Sequence, residues 1–165
     1  MNIIEYIQNN WLLLLELTGG HILMVVCGLA LALAVGVPLG MVCARNQKLG
    51  SWILAGANII QVLPSLALLA LLMLVFGLGF KTVVVGLFLY SLLPIIRNTA
   101  VGLQQVDKSI MEAGKGVGMS PLQMLLKVQF PLSLPFLMAG LRVAAVIAIG
   151  VATIAPLIGG EGLGR

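Results

Sequence analysis

Four long apolar stretches leave this chain few ways to fold in water. They occupy residues 21–43, 52–78, 82–103 and 136–158, and each is long enough to cross a hydrocarbon core of ~30 Å as a helix. Only 8% of the residues are charged, whereas a soluble domain carries roughly 25%. The sequence therefore predicts an all-α polytopic membrane protein with four spans.

The first twenty residues have a mixed character. Ile3, Ile7 and Trp11 recur at helical spacing, and Glu5 falls elsewhere around the helix. This pattern is typical of an amphipathic helix that lies at the membrane interface, with its aromatic residues at headgroup depth. The sequence predicts such an amino-terminal interfacial helix over residues 1–20. A helix that simply extends the first span fits the pattern equally well.

A stripe of small residues runs along the first span. It consists of Gly28, Ala32, Gly36 and Gly40, which recur every four residues. Small residues at this spacing let two membrane helices approach closely, so we expect the stripe to be a packing surface. His21, at the start of the span, has no partner nearby in sequence and is predicted to lie at the membrane interface.

Polar residues and a proline interrupt the second span. Pro64 removes a backbone hydrogen bond and clashes with the preceding turn, so it should break the helix. A broken helix at membrane depth is tolerated where it packs on protein or lines a cavity. Asn58, Gln61 and Pro64 are therefore candidates for lining a path across the membrane. A kinked helix whose polar side chains bind neighbouring helices accounts for them equally well.

Residues 107–135 are the polar exception in this apolar chain. The segment carries Asp107, Lys108, Glu112, Lys115 and Lys127. Ser109 with Glu112 fits a capping box at a helix start, and Ser120 with Gln123 repeats it. Three glycines separate the two starts, at Gly114, Gly116 and Gly118. The sequence predicts two short helices at the membrane surface, joined by a glycine hinge at Gly118.

The spacing within this segment is also a motif. It consists of Glu112-Ala113-Gly114, then Gly118, then Val128-x-Phe130-Pro131. It resembles the EAA loop of ATP-binding-cassette (ABC) importer permeases, whose pattern is E-A-A-x3-G-x9-I-x-L-P. The three departures from the pattern keep size and polarity. The resemblance implies that a separate ATPase subunit docks here, on a loop over residues 107–135. The corresponding docking residues are Glu112, Ala113, Gly114, Gly118 and Pro131.

Three further stretches resemble the branch of these permeases that carries quaternary-amine osmoprotectants such as glycine betaine, carnitine and choline. They are residues 62–69, 90–103 and 150–164. The resemblance implies a type I ABC importer transmembrane domain over residues 21–165, lacking the last span of that family. It also implies an ABC ATPase subunit that binds ATP and Mg, a second permease copy and an extracellular or periplasmic substrate-binding protein. The expected location is the bacterial cytoplasmic (inner) membrane.

The basic residues favour one orientation. With residues 107–135 in the cytoplasm, the inner loops hold Arg45, Lys48, Lys108, Lys115 and Lys127. Arg97 and Arg142 are predicted to lie near inner helix ends, where long side chains reach the surface. Of the nine Lys and Arg residues, only Lys81 and Arg165 then lie outside, which agrees with the positive-inside rule.

Several kinds of chemistry are missing from the sequence. It has no nucleotide-binding loop of the form G-x-x-x-x-G-K-[ST], and no catalytic triad or Cys/His metal spacing. There is no basic cluster, so nucleic acid is not an expected partner. We expect a permease that is not an enzyme, has no cofactor of its own and draws its energy from the ATPase partner.

The residues leave the cargo open. Recognition of quaternary ammonium usually uses an aromatic cage, and the chain is only 5% aromatic. We therefore expect the cage on the binding protein and a low-affinity conduit in this chain. An ABC permease for an amino acid, methionine or a sulfonate is the near alternative. A small structural or pore-forming membrane protein is the more distant one.

Overall fold

The computed structural model describes residues 3–164, with side chains from Glu5 onward. Over this range the chain is helical and has no strand. The helices are α1 (Ile3–Arg45), α2 (Gln47–Val62), α3 (Ser65–Phe76), α4 (Phe80–Gln104), α5 (Lys108–Gly116), α6 (Pro121–Met124) and α7 (Phe130–Ala152). A π-helical turn at Leu125–Gln129 joins α6 to α7, and a 3₁₀ turn at Ala155–Ile158 follows α7. The predicted all-α fold is confirmed.

The first helix, α1, is longer than a membrane is thick. Its 43 residues extend over about 65 Å at ~1.5 Å per residue. The backbone leaves helical geometry at Asn10 (φ −124°, ψ 18°), so a kink separates the residues before Asn10 from the rest. After the kink at Asn10 the helix is continuous through residue 20. A boundary at residue 20 and an interfacial position for residues 1–20 stay predictions. Residues 1 and 2 lie outside the described range.

The small-residue stripe of α1 packs against α4. A Cβ atom built on Gly28 would lie 2.7 Å from Leu87 Cβ, and one built on Gly40 would lie 2.5 Å from Thr99 Cβ. Ala32, between them, is fully buried. Only glycine lets the two backbones approach this closely, so the predicted packing role is confirmed. The paired residue numbers rise together, so α1 and α4 run parallel.

Helices α2 and α3 form a bent pair that carries the chain back between these two parallel helices. The pair begins beside Cys43 at the end of α1, and it ends where α3 contacts the 3₁₀ turn after α7. The bend between α2 and α3 is 101°. The second crossing is therefore confirmed as a broken one, with the break before Pro64 as predicted. Its helix begins at Gln47, earlier than the predicted start at residue 52.

The last span also begins earlier than the sequence predicts. Helix α6, the π turn and α7 form one helix over Pro121–Ala152 (32 residues), whereas the predicted span starts at residue 136. On α4, Pro94 and Asn98 contact Gly140 of α7. The backbone of Arg142 therefore lies near the middle of the bundle, and its predicted position near an inner helix end is wrong.

The two ends of the bundle differ in what covers them. The docking end is the one where α1 and α4 terminate and α5 and α6 lie. At the opposite end, the loop after α7 packs against α1 at Gly20 and His21, and a Cβ built on Gly162 would lie 3.1 Å from Nδ1 of His21. His21 is 5% exposed, so this loop buries it within the protein instead of leaving it at a membrane surface.

Candidate docking segment and translocation path

Helix α5 is capped by Asp107. Oδ1 of Asp107 accepts a hydrogen bond from the Ser109 N–H (2.8 Å), and this bond holds the pKa of the Asp107 carboxyl below its ordinary value. The predicted capping box of Ser109 with Glu112 is therefore wrong, because an acidic residue two positions earlier caps the helix instead. Glu112 is exposed on α5 and has no capping role.

The end of α5 is a Schellman motif at Gly118. The Met119 N–H donates to the Gly114 carbonyl, and the Gly118 N–H donates to the Lys115 carbonyl (both 3.0 Å). Gly118 has φ +81°, the left-handed conformation that this motif needs and that residues with a Cβ resist. The predicted turn is confirmed at Gly118, whereas Gly116 is helical. A role for this turn in coupling stays a prediction.

The second predicted helix start is confirmed at Ser120. Its Oγ accepts from the Gln123 N–H (3.3 Å), its N–H donates to Gln123 Oε1 (2.9 Å), and Pro121 takes the first helical position. The prediction of a short second helix is wrong, since the helix continues to the end of α7. The π turn accommodates Pro131, which has no N–H and whose ring clashes with a carbonyl one turn earlier in a regular α-helix.

Helix α5 folds back onto α6 through Gly114. This residue is buried, and a Cβ built on it would collide with the terminal methyl group of Met124 and lie 2.9 Å from its sulfur. The long Met124 side chain thus occupies the space that the alanine of the EAA pattern would fill. The other docking candidates, Ala113, Gly118 and Pro131, are exposed. Four of the five candidates are therefore exposed, and Gly114 is buried against Met124.

Two neighbouring cavities lie between α5 and the ends of α1 and α4. Their volumes are about 230 Å³ and 270 Å³, and Arg45, Met111 and Gln129 line both. Lys115 lines the larger one, so two basic residues face this cleft at the docking end.

The three candidate path residues lie along the bent pair without sharing one cavity. Gln61 lines a groove of about 220 Å³ between α2, α4 and α7. Asn58 is half-buried in α2, Pro64 is exposed at the start of α3, and neither lines that groove. A shared role of the three in a transport path stays a prediction.

Gln61 has a structural role that the contacts define. Pro94 has no N–H, so the Tyr90 carbonyl in α4 loses its usual helical partner. Nε2 of Gln61 donates to that carbonyl (3.4 Å), and the Tyr90 hydroxyl donates in return to the Leu63 carbonyl at the break between α2 and α3. These two bonds hold the broken span to α4. They agree with the second interpretation of the sequence, in which polar side chains of a kinked helix bind neighbouring helices.

The sequence reasoning misses the role of Tyr90, whereas Arg97 lies near the docking end of α4, as predicted, and lines a cavity there with Gln47 and Gln104. A signal for Tyr90 exists, because a proline within a helix leaves the carbonyl four residues earlier without its donor. Arg97 is exposed and lines the same groove as Gln61 and Asn98. No sequence signal marks this groove, since three helices far apart in the chain form it.

Comparison with known proteins defines the class to which this fold and segment belong. Residues 36–165 match the family described as binding-protein-dependent transport system inner membrane component, and the chain belongs to this family of ABC permeases. A structure of the MetNI methionine ABC transporter in an inward-facing conformation matches with a TM-score of 0.83 at 22% identity, over 99% of this chain and 80% of that chain. The type I ABC importer fold is therefore confirmed.

Two relatives are closer in sequence. The glycine betaine/carnitine/choline transport system permease protein OpuCD of Bacillus subtilis is 50% identical over 159 residues, 96% of this chain and 69% of the relative. The carnitine transport permease protein OpuCD of Listeria monocytogenes is 48% identical over 162 residues, 98% of this chain and 73% of the relative. The chain is a multi-pass permease subunit, and its predicted resemblance to the osmoprotectant branch is confirmed.

Proposed function

We propose that this chain is the membrane permease subunit of an ATP-driven importer for glycine betaine, carnitine and choline, located in the bacterial cytoplasmic membrane. The observation that carries the proposal is the 48–50% identity to permeases named for these solutes. The partners are an ABC ATPase that binds and hydrolyses ATP with Mg, a second permease copy and a substrate-binding protein. The chain itself contributes the translocation path and no catalytic residue.

The docking segment provides a mechanical connection from the ATPase to the spans. Helix α5 presents Glu112 and Ala113 on an exposed surface, and the turn at Gly118 joins α5 to the helix over Pro121–Ala152. Since α6, the π turn and α7 are one helix, a displacement of α5 by closing ATPase subunits also displaces α7. Helix α7 packs on α4, and Tyr90 links α4 to the bent pair. The motion thus reaches every span that surrounds the groove.

The alternatives rest on weaker support. A permease for an amino acid, methionine or a sulfonate has the same fold, but 22% identity to the methionine transporter carries no information on cargo. A structural or pore-forming protein does not account for an exposed docking surface joined to a span by one continuous helix.

The test is uptake by the complete importer in proteoliposomes. The full-length permease, its ATPase and its binding protein are reconstituted with ATP in the lumen, and uptake of labelled glycine betaine, carnitine, choline and methionine is followed. The proposal predicts ATP-dependent uptake of quaternary amines that other quaternary amines inhibit and methionine does not. Uptake of methionine alone, or uptake without ATP, contradicts it.

A further inference from the structure

The groove between α2, α4 and α7 has the composition of a binding site for an anionic group. Its polar lining consists of Gln61, Arg97 and Asn98, and the rest is apolar, namely Leu93, Pro94, Val143 and Ile147. Gln61 contacts Tyr90, which lies near the middle of α4, so the groove reaches well into the membrane-spanning part of the bundle. Its volume of about 220 Å³ is suited to a small solute, since pockets for drug-sized ligands occupy roughly 300–1,000 Å³.

The charge of Arg97 has no counterion on the surrounding helices. The five acidic residues of the chain are Glu5, Glu16, Asp107, Glu112 and Glu161. None of them lies on α2, α4 or α7, so among the described residues no carboxylate side chain lines the groove. An arginine within a membrane helix is costly unless it faces protein or water and has a partner. The groove therefore favours a ligand that brings its own negative charge.

The two amides beside Arg97 can complete such a site. Nδ2 of Asn98 donates to the Pro94 carbonyl (2.8 Å), and Nε2 of Gln61 donates to the Tyr90 carbonyl (3.4 Å). A side-chain amide has two N–H donors, so each keeps one for a ligand while the backbone carbonyl fixes its position. A guanidinium with two amide donors matches the hydrogen-bonding capacity of a carboxylate.

We propose that this groove binds the carboxylate of zwitterionic solutes as they cross the membrane, with Arg97 as the residue that distinguishes them from cationic solutes. The inference rests on the proposed function and adds to it a specificity-determining residue. The groove has no aromatic side chain, so it does not cage the ammonium group. Carnitine and glycine betaine carry a carboxylate and are bound there. Choline has no carboxylate, so it crosses without this contact and does not depend on Arg97.

The test compares carnitine and choline uptake in the complete reconstituted importer at saturating binding protein. Arg97→Gln should lower carnitine uptake by about tenfold or more, since hydrogen bonds to charged groups contribute enough for such a factor, and choline uptake should stay unchanged or rise. Arg97→Lys keeps the charge and should restore part of the carnitine uptake. The matched control is Lys81→Gln, because Lys81 is an exposed basic residue at the opposite end of α4 that does not line the groove. It should leave the carnitine-to-choline ratio unchanged.

The possible results separate this inference from the proposed function. Equal loss of carnitine and choline uptake in Arg97→Gln, with normal amounts of assembled complex, overturns the inference and leaves the proposed function intact. A carnitine-to-choline uptake ratio that stays unchanged in every variant also overturns the inference. Arg97 is then only a basic residue whose side chain reaches the inner membrane surface. A wild-type complex that carries neither solute overturns both.

Discussion

The contact between α1 and α4 predicts that one added methyl group at Gly40 destabilises the fold. A Cβ there would lie 2.5 Å from Thr99 Cβ and 2.9 Å from the Ile96 carbonyl oxygen, whereas carbon atoms in contact are about 3.5–4.0 Å apart. Both neighbouring atoms belong to the backbone or are bonded directly to it, so no rotamer change relieves the clash. The helices must separate by about 1 Å. Overpacking of this kind costs typically ~1–3 kcal/mol.

The matched control for Gly40→Ala is Gly56→Ala. Gly56 lies within α2, and a Cβ built on it meets nothing within 4 Å. Both changes give the same gain in helix propensity of ~1 kcal/mol, so the difference between the variants isolates the clash. In a detergent–denaturant titration of the purified permease, Gly40→Ala should unfold with a free energy about 1–3 kcal/mol below that of Gly56→Ala. Equal stability of the two variants refutes the close packing of α1 on α4.

Two further predictions concern topology and the broken span. Lys115 and Glu161 lie at opposite ends of the bundle. With Cys27 and Cys43 replaced by Ala, Lys115→Cys should react with an impermeant thiol reagent only from the cytoplasmic side, and Glu161→Cys should react only from outside. The reverse labelling pattern contradicts the predicted orientation. Tyr90→Phe keeps the ring but leaves the Leu63 carbonyl without its donor, so it should lower the unfolding free energy by about 1–2 kcal/mol. Tyr6→Phe, at an exposed position, should have no effect, and equal stability of both variants contradicts the bond to Leu63.

The spans and their packing surface could be predicted because they depend on local pattern. Long apolar runs give the helices, and the glycine stripe of α1 gives a close helix contact whatever the partner is. The ends of the helices are harder to predict from the sequence. The sequence does not show that the last helix already starts at residue 121, because the π turn before Pro131 joins α6 to α7 and no spacing in the sequence marks that turn.

The docking segment shows where local signals compete. Two capping boxes fit the sequence, but only the one at Ser120 forms, because α5 begins at Lys108 with Asp107 as its cap and Ser109 lies inside the first turn. The contact of Gly114 with Met124 depends on how α5 folds back, which no spacing rule gives. The groove at Arg97 could not be predicted for the same reason, since its lining comes from three helices that only tertiary packing brings together.

The docking segment over residues 107–135 is expected to couple ATP hydrolysis to transport. The variants Gly118→Val and Glu112→Ala address its turn and its exposed surface, and Gly116→Val is the matched control. Neither glycine has a heavy atom within 4 Å of a built Cβ, but only Gly118 has a positive φ. A valine there costs ~1 kcal/mol or more in the left-handed conformation, whereas at Gly116 the backbone is helical.

The deciding measurement is the ATPase activity of the reconstituted complex, stimulated by the substrate-loaded binding protein. All three variants should insert into the membrane in normal amounts. Stimulated ATP hydrolysis and solute uptake should fall in Glu112→Ala, fall most severely in Gly118→Val and stay near wild type in Gly116→Val. Full stimulation in both Gly118→Val and Glu112→Ala contradicts the claim that this segment is the coupling element.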